Sequence, residues 1–550
     1  MQPSRTERRR HRAGNAHPRT PARTSLVLAA ALVAAVAATF ANAIPNGFVF
    51  DDHLTIVHDP AVRAPVADLP RHLDYRPLRT LSYRLDYALA GMQPWIFHLG
   101  NVAYHGVTVL LVFAVVRACG ASVQAAAVGA LVFAVHPVQA ESVTYASGRR
   151  DVLCGLFFVA GFLAYLRARA RPRIVPAALA AAAFAAALLV KEMAVTLPLV
   201  CLLHHRWRAR PGAPGRLGRG VVLLTVAALV VAGGYWWPHI MARWSAVPWY
   251  GGSAGAHLAT VVRVWTHYLT LLVWPLQLSA DYSYAGFPPS ARALDPRALT
   301  GLAVLAALGW AAWRRWRAGG LAGLGAAWWA VTLLPVSHVV PHHELMAEHY
   351  LYVPMVGVAL ALAGGWDALA VRLPARRRRL AAAAALTVVA LLAVRTAVRN
   401  RDWRDDLTLW TATVAVTPGS ARAHLSLGHA HLRRGRIAAA RAAFERALAL
   451  RADHGPTHVA LAMLLARQGD HSGAAAHADA ALKILGDRGQ LLMLAGAIAL
   501  ERGRPEEARR RFEEAARRYR ASDAPDAAAR ARVAAARAAE AADAAGSSGR

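Results

Sequence analysis

Two adjacent carboxylates, Asp51 and Asp52, stand in the string NGFVFDDH just beyond the first long apolar run. A carboxylate at such a boundary can take the proton of an attacking hydroxyl while its neighbour orients it or meets a cation. In an extended loop, neighbouring side chains project to opposite sides, so adjacency alone makes neither one the base. A solvated turn is the plainer reading of an isolated pair. Other ionisable groups recur beside apolar runs, where lipid makes them costly and function is the default explanation. Arg76 and Arg84 follow Tyr75, while His98, Asn101 and His105 share one helical face at i, i+3 and i+7. His136, Glu141, Arg149 and Asp151 form a second group, and Lys191 with Glu192 interrupts an apolar stretch. A late group holds His338, His342, His343, Glu344, Glu348, His349 and Tyr350. Taken singly, each is explained by packing or by a snorkelling loop. Together they place carboxylates, cations and aromatics where a polar group on a lipid carrier would be handled. His342, His343 and Glu344 lack the HExxH spacing of a helical metal site, so no metal is expected. Cys119, Cys154 and Cys201 lie in apolar stretches and read as buried small hydrophobes.

Membrane helices must position these residues. The chain has 550 residues, 63 basic and 32 acidic for a net charge of +31, yet 56% are hydrophobic and mean hydropathy is positive. That much apolar surface excludes disorder over most of the chain. A strongly basic balance can indicate nucleic acid, but here the arginines cluster between apolar runs, which is a membrane pattern and leaves nucleic acid out. Residues 1–24 carry seven arginines against one acid, Glu7, and precede the apolar run 25–44. Ala41, Asn42 and Ala43 imitate a signal-peptidase site, but with or without cleavage the following residues emerge on the non-cytoplasmic side. Further spans are expected near 99–118, 121–139, 151–168, 174–190, 193–205, 219–238, 298–313, 321–340, 350–370 and 380–398, making about eleven. With the N-terminus inside, the arginine clusters at 167–173, 206–219, 314–317 and 372–379 all fall inside. This requires that 257–278, with Arg263 and His267, lie at the interface or re-enter instead of crossing. The first outer loop is then 45–98, and residues from about 399 onward are outside.

From Ala421 the sequence repeats every 34 residues, the tetratricopeptide period. Gly428, Ala462 and Gly496 occupy the tight helix crossing; Gly435, Gly469 and Gly503 occupy the turn. Small residues also recur at Ala440, Ala474 and Ala508 and at Ala447, Ala481 and Ala515, with Phe444, Ala478 and Phe512 between them. Such a stack presents a groove for protein partners. Residues 400–420 read as a degenerate leading helix pair or half repeat, and 521–550 as a low-complexity tail.

Five strings carry a family resemblance: FDD (50–52), YRPLRTLSYRLDYALAGMQPWIFHLGNVAYH (75–105), HPVQAESVTYASGRRDVL (136–153), KEMAVTLP (191–198) and AEHYLYVP (347–354). In content and order they resemble the transmembrane-and-tetratricopeptide-repeat O-mannosyltransferase-like proteins, over about residues 25–520. The resemblance implies a GT-C-like membrane fold that takes a hexose, mannose by analogy, from a polyprenyl-phosphate donor. It implies delivery to a Ser/Thr hydroxyl of a protein recruited by the repeats. Asp51 and Asp52 align with the family's acidic pair of the first outer loop. The late motif departs from the pattern, because His349 stands where Arg often precedes the tyrosine; a histidine there is only partly charged near neutral pH.

The expected protein is therefore all-α: a basic cytoplasmic tail (1–24), a polytopic GT-C-like membrane domain (25–398), a tetratricopeptide α-solenoid (399–520) and a tail (521–550). Asp51 and Asp52 are the expected catalytic residues. Arg76, Arg84, His98, His105, His136, Glu141, Arg149, Lys191, Glu192, Glu348, His349 and Tyr350 are expected to bind donor or acceptor. The expected partners are a lipid-linked sugar, acceptor proteins and membrane lipids, in a cytoplasmic (inner) membrane with the repeats outside. A membrane-anchored scaffold without catalysis is the alternative. A transporter is disfavoured because the two halves of the spans show no internal symmetry.

Overall fold

The computed structural model describes residues 22–68, 76–170, 173–208, 248–339, 344–522 and 524–547, with isolated positions between. The basic tail before residue 22, Tyr75, Arg171, the apolar run at 219–238 apart from Val230 and Gly234, His342 and His343 lie outside the described residues. Every regular element among the described residues is helical. The chain divides into two compact units, residues 1–280 with 289–409, and residues 281–288 with 410–550.

The first unit is built from α1 (Ala22–Phe40), α2 (Pro77–Ala90), α3 (Pro94–Ala118), α4 (Val123–Val135), α5 (Arg149–Ala170) and α6 (Ile174–Leu188). It continues with α7 (Leu197–Arg208), α8 (Ala254–Val273), α9 (Pro296–Arg317), α10 (Leu321–Leu333), α11 (Pro354–Arg372) and α12 (Ala375–Asp402). Among the described residues, five helical stretches are long and apolar enough to cross a bilayer: Thr24–Ala43, Pro94–Ala118, Ala146–Ala170, Pro354–Arg372 and Ala375–Asp402. A sixth arises if α4 and the bent stretch after it count as one span. The protein is thus a multi-pass membrane protein, but the expected eleven spans are not reached among the described residues. Helix α6 has only 15 residues, about 22 Å at the α-helical rise, and falls short of the hydrocarbon thickness. Helix α7 is shorter still and ends in His205, Arg206 and Arg208. Helix α9 is long but closes on Arg314, Arg315 and Arg317. The segment 257–278, expected to lie at the interface or to re-enter, falls largely within the continuous helix α8, which is not among the five stretches.

Local chemistry sets the helix ends. Ser122 caps α4 by accepting the Ala125 N–H at 3.1 Å, and Ser253 caps α8 through the Ala256 N–H. Small residues let the helices approach: a side chain at Gly325 or Gly357 would strike the other's carbonyl across the α10–α11 crossing. Gly129 of α4 meets the Ala359 backbone of α11 in the same way.

A single interruption shapes the centre of this unit. Helix α4 stops at Val135 because Pro137 drives His136 into extended backbone (φ −68°, ψ 134°). The His136 Nδ1 then accepts the Val138 N–H at 3.3 Å, and the chain restarts with a bend of 50°. The bend carries residues 137–148 into the protein as a buried loop, with Thr144 donating to the Asn400 Oδ1 at 2.7 Å. Asn400 of α12 also donates to the Thr39 carbonyl and to the Asn42 side chain, both at 2.9 Å, which joins the end of α1 to the same point.

The second unit is a stack of helix pairs: α14 (Ala421–Arg433) with α15 (Ile437–Leu450), α16 (Gly455–Arg467) with α17 (His471–Leu485), and α18 (Gly489–Glu501) with α19 (Pro505–Ala521). Helix α13 (Asp406–Val416), whose first turn through Leu409 belongs to the first unit, precedes them and α20 (Pro525–Ser547) follows. Gly435, Gly469 and Gly503 have φ of 68°, 81° and 69°, the left-handed turn that glycine adopts without strain. Within each pair the contact is complementary in size. Gly428 and Gly496 face the rings of Phe444 and Phe512, whereas in the middle pair Ala462 packs in one cluster with Ala478. The segment 281–288 is anchored by Asp281, which accepts hydrogen bonds from the Ser420 hydroxyl and the Arg422 guanidinium.

A methyl group at Gly428 must displace the Phe444 ring. Gly428→Ala is expected to destabilise the second unit by about 1–3 kcal/mol. Thermal unfolding of the full chain, with hydrogen exchange read over 421–450, checks this. Adding Phe444→Leu should recover part of the loss.

Candidate functional site

The loop that follows α1 forms a cage around the two aspartates. Asp52 is fully buried. Its Oδ2 accepts the Val49 N–H at 3.0 Å, and its Oδ1 accepts both the Ser147 N–H at 2.7 Å and the Ser147 hydroxyl at 2.6 Å. Thr55 shares a hydrogen bond of 2.6 Å with the Ser147 hydroxyl. Burial pushes the Asp52 carboxyl up to about 7, with Asp51 adding to the rise and the Ser147 and Val49 hydrogen bonds opposing it. Asp51 differs: its side chain is half-buried, and among the described residues its carboxylate accepts no hydrogen bond. Its backbone N–H donates to the Tyr145 hydroxyl at 3.0 Å. The pair therefore divides into an enclosed, fully bonded carboxyl and an accessible one.

The N-terminus of α5 brings one cation, Arg150, into the field of Asp51. Arg150 reaches Asp151 at 3.5 Å and lies in the electrostatic field of Tyr145, Asp51 and Glu344. Asp151 also accepts from Lys191 at 2.5 Å, and the Lys191 ammonium sits 5.3 Å from the centre of the Tyr350 ring. Tyr350 donates to Glu344 at 3.2 Å. His349 is held by Glu141 twice, through its backbone N–H at 2.9 Å and its Nδ1 at 2.7 Å, and it too interacts with Asp151. Because the carboxylate can only accept, the His349 Nδ1 carries the proton. Glu348 is buried beside these residues, accepting the Ser279 N–H at 2.6 Å with Arg399 at 3.8 Å.

Other residues expected at a binding site are engaged by neighbouring groups of the protein. Arg149 is fully buried. It donates to the Asn101 side chain at 2.7 Å, to the Phe97 carbonyl at 2.5 Å and to Asp86, with the Tyr83 ring 5.0 Å away. Arg84 donates to the carbonyls of Ala61 and Ala64, tying down the first loop. His105 bridges the Tyr352 hydroxyl and the Ala134 carbonyl, and His136 reaches the Leu272 carbonyl. His98 is buried within α3. Arg76 pairs with Glu192 at 3.0 Å, next in sequence to Lys191. Among the described residues, no group of three or more His, Cys, Asp or Glu is disposed to hold a metal.

Arg150 and Asp406 are the residues that sequence reasoning missed. The first adjoins a more familiar arginine in the string GRRD; the second is 353 residues from its partner His53, and no local pattern marks it.

The unusual protonation of Asp52 is directly measurable. Its pKa is raised in the folded protein, so ionisation opposes folding. The stabilisation belonging to the protonated form is present at low pH and is lost as pH rises through about 7. Infrared difference spectra of the full chain should show a buried carboxyl titrating near that pH and missing in Asp52→Asn. Titration of all carboxyls in the ordinary range would contradict the assignment.

Known proteins resemble this chain in both of its parts. The tetratricopeptide repeat family matches residues 391–455 and 425–490. The chain is 25% identical over 453 residues to the protein O-mannosyl-transferase TMTC3 of Mus musculus, covering 72% of this chain and 48% of the relative. It is 27% identical over 467 residues to TMTC4 of Homo sapiens, covering 71% and 62%. A stretch of 262 residues is 32% identical to Tmtc2 of Drosophila melanogaster, covering 43% and 27%. The chain thus spans about half the length of the relatives it matches. Among solved structures it is similar to ArnT from Cupriavidus metallidurans bound to undecaprenyl phosphate, with a TM-score of 0.41 and 15% identity over 80% of this chain and 81% of that one. A likeness that low says nothing about a ligand. Sequence similarity over about seven-tenths of the chain, together with the matched repeats, points one way: the chain is similar to the TMTC O-mannosyl-transferase-like proteins with tetratricopeptide repeats.

Proposed function

We propose that the protein is a membrane glycosyltransferase of GT-C type that moves a hexose from a polyprenyl-phosphate donor to a Ser/Thr hydroxyl of a protein. Mannose is the sugar by analogy with the names of its relatives. One observation carries the reading. A half-buried Asp51 carboxylate, accepting no hydrogen bond among the described residues, sits in the field of Arg150, a guanidinium 3.5 Å from the Asp151 carboxylate.

In this mechanism Asp51 accepts the proton of the acceptor hydroxyl as its oxygen bonds to the anomeric carbon. The bond from that carbon to the donor phosphate oxygen breaks, and the lipid phosphate leaves with the electron pair. Arg150 and Lys191 offset its charge from a site where Asp151 orients both. A single displacement inverts the anomeric centre. Asp52 does not touch substrate; it holds the loop through Ser147 and Val49. Glu141, His349 and Tyr350 line the same cluster. The repeats recruit the acceptor protein, and the N-terminus is cytoplasmic with residues 45–98 and the repeats on the opposite side of the cell membrane.

Purified full-length protein given a panel of labelled polyprenyl-phosphate sugars and a Ser/Thr-rich acceptor tests the proposal. Asp51→Asn should lower turnover by about a hundredfold or more while inserting normally. Arg150→Gln should weaken use of the donor. Unchanged transfer by Asp51→Asn removes the base assignment. Failure of the unaltered protein to consume any donor, with acceptor binding intact, favours the scaffold alternative.

A further inference from the structure

The backbone next to Asp51 is held in a conformation it would not choose. Phe50 has φ of 53°, in the left-handed region that a bulky side chain rarely occupies. Strain of this kind persists only where neighbouring groups over-determine it, and it concentrates at functional positions. Here the neighbour is Asp406, at the start of α13. Its Oδ1 accepts the Phe50 N–H at 2.9 Å, and its Oδ2 lies 2.8 Å from the His53 Nε2. One carboxylate therefore grips the chain on both sides of the Asp51–Asp52 pair. An aromatic stack braces the same segment: Phe50 lies over Tyr145 (6.0 Å, 23°) and Tyr145 over Trp403 (5.0 Å, 29°), with the Tyr145 hydroxyl receiving the Asp51 N–H.

We propose that Asp406 is a positioning residue for sugar transfer, holding the left-handed turn at Phe50 that aims the Asp51 carboxylate toward the acceptor hydroxyl. The proposal rests on the reading of Asp51 as the base. Asp406 contacts no substrate and moves no proton. Its effect falls on the orientation of Asp51, hence on turnover and not on donor binding. The two contacts contribute differently, since the bond to Phe50 sets the turn and the contact with His53 secures the segment just after the aspartates.

Three variants of the full chain test this: Asp406→Ala, Asp406→Asn, and Asp406→Ala combined with Phe50→Gly. Asp406→Ala should lower kcat by between about tenfold and a hundredfold, with little change in KM for the donor. Asp406→Asn keeps an oxygen for the Phe50 N–H and should retain most turnover. Glycine takes a positive φ without strain, so Phe50→Gly should restore a substantial part of the kcat lost in Asp406→Ala. A merely structural role would lower yield and stability, and glycine would bring no rescue. Unaltered kcat in Asp406→Ala, or a loss that Phe50→Gly leaves untouched, overturns the proposal. Amide exchange at Phe50, slow in the unaltered protein and fast in Asp406→Ala, reads the hook without any assay of transfer; equal exchange in the two overturns it. If the unaltered protein transfers no sugar from any donor, the base reading and the catalytic part of this proposal fall together, and exchange alone still decides the hook.

Discussion

A carboxyl group cut off from water has to find its hydrogen bonds inside the protein, and Asp52 finds three of them within two short segments. The demand propagates outward. Ser147 can serve only if the buried loop 137–148 lies against the segment after α1, and that loop exists because His136 and Pro137 end α4 early. The loop turns tightly enough at Gly148 that a side chain there would strike the Glu141 and Ser142 carbonyls. Asn400 then joins the loop to the ends of α1 and α12 with a single side chain. Removing any one of these contacts strands a buried polar group, which costs more than the contact itself contributes.

The adjacent arginines of the string GRRD show how helix geometry sends neighbouring charges into different surroundings. Successive residues on a helix point about 100° apart, so Arg149 and Arg150 serve different neighbourhoods. Arg149 turns toward α2 and α3 and is saturated by Asp86, Asn101 and the Phe97 carbonyl. Arg150 turns toward Asp151 and the field of Asp51. The saturated arginine lends rigidity to the helix start from which the other projects. Buried ion pairs such as Asp151 with Lys191 contribute little net stability after desolvation, and their better-attested use is to hold a defined arrangement.

Much of this was legible in the amino-acid sequence, and the reasons differ by region. The repeats were readable because their contacts are local: Gly428 meets Phe444 sixteen positions on, and the same relation returns after 34 residues. The neighbourhood of Asp51, Glu141, Lys191 and His349 was readable as a set of charges beside apolar runs, although not as pairs. Span counting by hydropathy ran ahead of the long helices among the described residues, since hydropathy ignores length and α6 and α10 are apolar but short. Arg149 was singled out and Arg150 was not, because no local pattern tells which face of α5 each one occupies. Asp406 lay beyond reach altogether: its partners are more than 350 residues away, and only the folded chain brings them together.

The alternation of Gly–Phe, Ala–Ala and Gly–Phe between the paired helices constrains how such a domain can grow or recombine. A helix lifted from the middle pair and set opposite Gly428 would leave a void the size of an aromatic ring. The reverse exchange would drive that ring into the methyl of Ala462. Individual helices are therefore not interchangeable cassettes, even though they recur at one fixed period. The heritable module is the matched pair, so insertions and duplications that respect pair boundaries are the ones that leave a packed stack behind.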